Sequence, residues 1–456
     1  MTIHSSKTVA RAALQRLFWR IHFWAGLIGA PIVLFAALTG LLYVFAPQIE
    51  AWRHADVDRV AVGAAGTQRL PLDAQVAAAL AHVPAAELRH VVPAHAPDAS
   101  TQVWLRAPHA HHGTGAREHD HGLPGGSIVY VDPYTGAVLG QLGEMARFRT
   151  WAKKLHSSAL QGDGWRWLME LGASWMLVLC ATGLAMWWPK PRREGGAGWR
   201  ALLPRWRRGR ATWRDLHATV AIVPGLVLAV VLVTGLTWAK YSGERFRDLQ
   251  RALAQDAPRA PTALRSTSAP GPALSWQAAF DAARAQAPDI AMQLSAPRGT
   301  DGVWRAENFD RSRPRARFQL ALDARSGAVL FRSGWDEQPL LARATAVGIP
   351  FHRGEFGAWN QVLLALAALA ATFSVVSGLA MWRLRRAPGR LGAPALQPQQ
   401  LRQVPPWLWP LLAALAWALP VFGWSLAAMV AAEGGAAIAA SALRRFSRGA
   451  RADRGA

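Results

Sequence analysis

Four apolar stretches, each long enough to cross a bilayer, dominate this chain: 17–45, 165–188, 213–238 and 359–382. A spanning helix needs about 20 mostly apolar residues, because backbone amides find no water to bond in the hydrocarbon core. Tryptophans bracket the stretches, as residues seated at the headgroup level do, and the chain holds 23 Trp against 4 Tyr. Charged residues make up 17%, below the roughly 25% of soluble chains. The first stretch is too long for a signal-peptide core and is expected to stay as an anchor. One cysteine, Cys180, excludes an internal disulfide framework, a cysteine zinc site, an iron–sulfur cluster and haem attachment through C-x-x-C-H.

The net charge is +23, from 51 Lys and Arg against 28 Asp and Glu. The surplus sits where topology is set. Lys7, Arg11 and Arg16 precede the first span and Arg20 lies in its first turn, a densely basic link joins the second and third, and RLRRAPGR follows the fourth. These flanks are expected in the cytoplasm, which explains the charge without nucleic acid as a partner. The reading divides the chain as follows: a cytoplasmic tail (1–16), a first span (17–46), a first outer domain (47–150), and an outer-face histidine segment with the second span (151–188). A basic cytoplasmic loop (189–212) and a third span (213–239) lead to a second outer domain (240–345). Then come a second histidine segment with the fourth span (346–382), a cytoplasmic linker (383–404), a C-terminal apolar region (405–443) and a basic tail (444–456). In the C-terminal region Pro420 and Gly423 interrupt the apolar run. The preferred reading there is one kinked fifth helix, and the alternative is a hairpin broken at Pro420.

The chain repeats itself. LHSSALQGDGWRWLMELGASWMLVLCATGLAMWWPK and FHRGEFGAWNQVLLALAALAATFSVVSGLAMWRLRR both open on His and end in (T/S)GLAMW before a basic exit. His22 precedes Thr39-Gly40 by the spacing that separates His217 from Thr234-Gly235. In the outer domains, PLDAQVAAALAHV and SWQAAFDAARAQA read as short helices. GSIVYVDPYTGAVLG and RFQLALDARSGAVLF read as strand pairs around a D-x-x-(T/S)-G turn, whose Gly accepts a positive φ. The expected architecture is a mainly α membrane protein. It has a bundle of four spans plus a C-terminal fifth, built by duplication, and carries two small α+β domains outside.

Each half contributes two histidines: His22 and His217 at the cytoplasmic ends of the first and third spans, His156 and His352 at the outer ends of the second and fourth. Ionisable groups at such depths point to function. Paired by leaflet, they suit two bis-histidine b-type haems stacked across the membrane, closed to oxygen and able to pass electrons. Helix-end histidines also serve carbonyls and headgroups. The T-G and S-G steps have two readings as well, close helix packing or room for a porphyrin face.

The segments IHFWAG and LHSSALQGDGW…TGLAMWW, repeated as DLHATV and FHRGEFGAW…SGLAMWR, resemble the PepSY-associated transmembrane family. VDPYTGAVLG and LDARSGAVL resemble the closing hairpins of its extracytoplasmic PepSY domains. The resemblance covers about residues 15–390. It implies a multi-pass protein of the bacterial inner membrane, N-terminus inside and PepSY-like domains in the periplasm. It also implies two haem b groups on His22, His156, His217 and His352, and ferric-siderophore reduction by electrons from a cytosolic or quinol donor. Such an oxidoreductase is of the ferric-chelate reductase type. Two other classes stand beside it: a non-redox PepSY protein that binds peptides or restrains a protease, and a metal-binding or transport accessory.

The accessory reading draws on PHAHHGTGAREHDHG, where His109, His111, His112, His119 and His121 offer imidazoles to Cu, Zn or Ni. A solvated loop is the competing account. Alternate arginines Arg311, Arg313, Arg315 and Arg317 have two readings, attraction of an anionic chelate such as a ferric siderophore or a solvated strand edge, and the edge is preferred. Glu170 is expected to pair with Arg166 one turn earlier. No nucleotide fingerprint, flavin domain or catalytic triad is visible, so no catalytic residue is assigned.

Overall fold

The computed structural model describes residues 2–62, 67–106, 123–187, 204, 208–269, 271–394 and 404–435, with side chains from residue 11. Two compact bodies partition the chain. One comprises Met1–Leu34, Trp167–Phe246 and Phe373–Ala456; the other comprises Phe35–Arg166 and Arg247–Thr372.

Three helical segments are long and apolar enough to cross a membrane: Arg11–Val44, Asp163–Trp187 and Ala358–Arg385. They lie in helices α1 (Thr2–Val44), α5 (Arg166–Trp187) and α11 (Ala358–Arg385). The third stretch is not one straight helix. It breaks into α6 (Arg210–Ile222) and α7 (Gly225–Leu236), bent by 54°. Pro224 stands at the break, where it withholds an N–H and crowds the preceding turn. Counted as one span, this bent pair makes a fourth.

The first body also holds the C-terminal region, and here the kinked-helix expectation gives way. Helix α12 (Leu408–Ala418) ends at Leu419, whose backbone turns to φ −122° and ψ 79°, and helix resumes over 420–435 as α13. Pro420 opens the second limb, a position that needs no N–H. The limbs fold back on each other: a Cβ added at Gly423 would lie 2.9 Å from the Ala416 carbonyl oxygen. The linker ahead of the first limb and the end of the second meet at one side chain. Arg20 donates to the Pro394 carbonyl at 2.5 Å and pairs with Glu433 at 2.5 Å. The first limb, at 11 residues, rises about 16 Å against a hydrocarbon core of about 30 Å. The region is therefore a returning hairpin. Trp175 anchors it, with Nε1 donating to Ser425 Oγ at 2.9 Å and the ring against Phe422.

Glu170 is buried on α5. Its carboxylate accepts from the Tyr241 and Ser242 amides at 2.9 and 2.7 Å, capping helix α8 (Tyr241–Ala252), whereas Arg166 pairs with Asp163. A free helix end outcompetes a local pair, because it offers two oriented donors.

The second body is organised by one eight-stranded antiparallel sheet. Its strands are β1 (Glu87–Val92), β2 (Thr101–Arg106), β3 (Ser127–Val131), β4 (Val138–Gly143), β5 (Met292–Ser295), β6 (Trp304–Asn308), β7 (Gln319–Leu322) and β8 (Val329–Ser333). Their spatial order is β4-β3-β2-β1-β5-β6-β7-β8. The two domains expected from the sequence are thus one sheet, joined where Val91 of β1 pairs with Leu294 of β5. Each β1-type strand would otherwise be an open edge. The D-x-x-(T/S)-G turns close β3–β4 and β7–β8, with Gly136 and Gly327 at φ +75° and +71°. Helices α3 (Leu72–His82) and α9 (Trp276–Gln286) cover one face, where Val76, Ala79, Ala279 and Ala283 pack on Val91, Val103, Leu294 and Leu320. Asp73 of α3 accepts from the Trp276 and Gln277 amides, and Gln277 returns the contact by accepting from the Leu72 amide at 2.9 Å. Arg311, Arg313, Arg315 and Arg317 are not on a strand. They lie in the connection from β6 to β7, around a 3-10 turn at Pro314–Ala316, because Pro314 cannot donate to a ladder.

Candidate functional site

The four histidines fall into two facing pairs, one in each body. In the first body, His22 on α1 faces His217 on α6, with ring centroids 6.3 Å apart and planes at 84°. In the second, His156 on α4 (Phe148–Ser158) faces His352 at the end of α10 (Leu340–His352), at 6.4 Å and 48°. Two imidazoles that bind one metal from opposite sides have centroids about 6.3 Å apart, given metal–nitrogen bonds of about 2.0 Å and roughly 1.15 Å from ring centre to nitrogen.

Three of the rings are held by hydroxyls on neighbouring helices. His22 Nδ1 lies 3.0 Å from Thr182 Oγ1, His156 Nδ1 lies 3.0 Å from Thr39 Oγ1, and His217 Nδ1 lies 2.8 Å from Ser377 Oγ. Each hydroxyl already donates backward along its own helix: Thr39 to the Phe35 carbonyl at 2.7 Å, Thr182 to Val178 at 2.8 Å and Ser377 to Phe373 at 2.7 Å. With its proton committed, the oxygen accepts, so Nδ1 carries the ring hydrogen and Nε2 keeps a lone pair. That is the tautomer a ligating histidine needs. Thr234 makes the same backward bond, to Val230 at 2.8 Å.

The glycine after each hydroxyl makes room for the imidazole. A Cβ added at Gly40 would lie 3.3 Å from His156 Cε1, at Gly183 3.3 Å from His22 Cε1, and at Gly378 3.9 Å from His217 Cε1. Sequence reasoning read the T-G and S-G steps as helix packing or porphyrin clearance. The structure gives the hydroxyl to the ring nitrogen and the glycine to the ring edge. The recurrence of these steps is visible in the sequence; the histidine each hydroxyl meets is not, because every contact joins two helices.

Beside the first pair is a cavity of about 530 Å³ lined by Leu14, Phe18, Ala181, Leu184 and Ala185, with Arg11 and Gln15 also on its walls. Phe18 sits one turn before His22, and Ala181 and Leu184 flank Thr182-Gly183. Among the described residues, no group of three or more His, Cys, Asp or Glu is placed to hold a metal ion. His109, His111, His112, His119 and His121 lie outside the described residues.

The family described as the PepSY-associated TM region matches residues 19–385. The chain belongs to the PepSY-associated transmembrane family. The match begins before His22 and ends with α11, so it takes in both pairs and leaves out the C-terminal hairpin. No curated protein matches the chain.

Proposed function

We propose that this membrane protein is a di-haem b electron-transfer protein of the bacterial inner membrane, with His22 and His217 holding one haem and His156 and His352 the other. The observation that carries the reading is the separation of the two pairs, 6.3 and 6.4 Å, which fits a metal between two imidazoles. A pair of histidines alone leaves a metal ion short of ligands, and a haem supplies four equatorial nitrogens and a one-electron couple. Thr182, Thr39 and Ser377 fix the Nδ1–H tautomers and the ring directions. The apolar walls of the cavity at Phe18 and Leu184 suit a flat apolar macrocycle.

The duplication enters the proposal too. In both halves the histidine of the first body and its hydroxyl partner stand 160 residues apart, and the sheet order runs outward identically from its centre. The basic flanks support an N-terminus in the cytoplasm and a sheet in the periplasm. Electrons enter from a cytosolic or quinol donor. The acceptor is Fe(III) in a siderophore, which gains one electron and, as Fe(II), is held more weakly by the chelate. A non-redox PepSY role leaves both the pair spacing and the ordered tautomers without a purpose.

The test is optical. Membranes from haem-replete cells should show a b-type α-band after dithionite reduction, and His22→Ala and His352→Ala should each remove about half of it. No band in the wild-type protein refutes the proposal. Equal loss of both haems in either variant refutes the pairing.

A further inference from the structure

Helix α4 carries a basic stripe that leads to its histidine. Arg149, Lys153 and His156 stand four and three residues apart, on one helical face. Across from it, Arg353 follows His352 directly. Arg353 donates Nε to Tyr43 Oη at 2.9 Å and pairs with Glu355 at 3.0 Å, and Arg149 bonds the same Glu355 oxygen. Arg311, from the β6–β7 connection, adds a further positive charge to the surroundings of Lys153. Two arginines therefore share one carboxylate oxygen, and Lys153 and Arg311 add positive charge beside them. Lys154 belongs to the surroundings of Glu144.

Lys153 is the odd member. It is half-buried, and among the described residues it has neither a hydrogen-bond nor an ion-pair partner. Burial first, then Arg353, Lys154, Arg311 and Arg149, push its ammonium down to about 8. A desolvated cation among cations is costly unless an anion completes the site. Glu355 does not fill that role: its bonded oxygen serves Arg149 and Arg353, and no bond joins it to Lys153.

We propose that Lys153 and Arg353, backed by Arg149 and Arg311, form a carboxylate-binding site at the edge of the His156–His352 pair, and that its occupants are the propionate groups of the haem held there. The inference rests on the di-haem reading. Lys153 is displaced from His156 by three residues, about 4.5 Å along the axis, so it would be the cation one turn from the ring to meet the carboxylates of a haem held there. Propionates are the two anionic groups on the haem rim. A carboxylate from an outside chelate is the other source of the same chemistry, and the experiment separates the two.

Full-length apoprotein is loaded with protohaem or with its dimethyl ester, in which both propionates are blocked, and loss of haem to an excess of scavenger is followed by the reduced spectrum. Lys153→Met should release protohaem from one of the two sites about tenfold faster, the factor carried by one charge-assisted hydrogen bond, and Lys153→Arg should retain it. With the dimethyl ester, wild type and Lys153→Met should release alike. Unchanged protohaem release in Lys153→Met overturns the proposal, the more so if the variant binds ferric citrate more weakly, which would assign the site to an outside carboxylate. An equal effect on the ester also overturns it, since Lys153 would then act by packing. Wild-type protein that takes up no haem defeats the di-haem reading itself.

Discussion

Replacing Thr39 by Val keeps the size of the side chain and leaves the backbone bonds of α1 intact, but removes the hydroxyl that His156 Nδ1 meets, leaving the ring only its bond to the Ala36 backbone. The hydroxyl lies 3.0 Å from Nδ1 and sends its own proton to the Phe35 carbonyl at 2.7 Å, so the bond to the ring runs in a single direction. Thr39 is 7% exposed, which leaves little room for water to replace it. A neutral hydrogen bond of this kind is worth about 1 kcal/mol, and a buried donor left unpaired costs about 1–3 kcal/mol. With a haem on His156, as proposed, the ring proton would be more acidic in the ferric state, so the lost bond would penalise that state more. A difference of about 1 kcal/mol is roughly fivefold in the reduction equilibrium, or about 40 mV for one electron. In a potentiometric titration of the purified protein, one of the two components should rise by about that amount and the other should stay. Ser377→Ala should do the reverse, moving the component Thr39→Val leaves alone. Two unmoved components, or a joint shift of both in Thr39→Val, would refute the argument that each hydroxyl serves its own pair.

The glycine steps give a graded test. Gly183→Ala places a methyl 3.3 Å from His22 Cε1 and should displace the ring, whereas Gly378→Ala, at 3.9 Å from His217, makes an ordinary contact; haem release should rise only in the first. Asp323 offers a pH test on the sheet. Burial would raise its carboxyl, but hydrogen bonds from Ser268, Ser326, Arg325 and Ser266 hold it far below the carboxylate range. A depressed folded pKa contributes stability that is complete above the unfolded value of about 3.9 and is lost as pH falls below it. Asp323→Asn should therefore destabilise β7–β8 by about 3 kcal/mol at pH 7 and flatten the acid slope, read by hydrogen exchange of those strands. For the C-terminal hairpin, reporters placed at residue 394 and after residue 435 should report the same side of the membrane. Opposite sides would restore the single kinked span.

Much of this architecture is legible because it is periodic. Leu72–His82 and Trp276–Gln286 show apolar residues at helical spacing, and the two D-x-x-(T/S)-G turns announce their hairpins. Three features escape for physical reasons. Apolarity over 213–238 hides the break at Pro224, since a hydropathy average is blind to a missing N–H. The β1–β5 seam is a tertiary pairing between strands about 200 residues apart, and neither strand alone signals its partner. The hydroxyl–histidine contacts join different helices: His22 bonds Thr182 rather than its own Thr39, so spacing along one helix points to the wrong oxygen. The positions of the four histidines can be read from the repeat, whereas the cations around Lys153 cannot, because Arg311 and Arg353 reach it from distant segments.

The body that contains Thr39, His156 and His352 also contains the eight-stranded sheet and its aliphatic core. The body that contains His22, His217, Thr182 and Ser377 is made of apolar helices and has no sheet among its described residues. The two haem seats of the di-haem proposal would thus rest on different foundations, one on a core that water drives together, the other on packing that depends on lipid. Harsh solubilisation should be asymmetric, emptying the seat at His22 and His217 while the other still holds, so half-loaded preparations would reflect the detergent rather than the molecule.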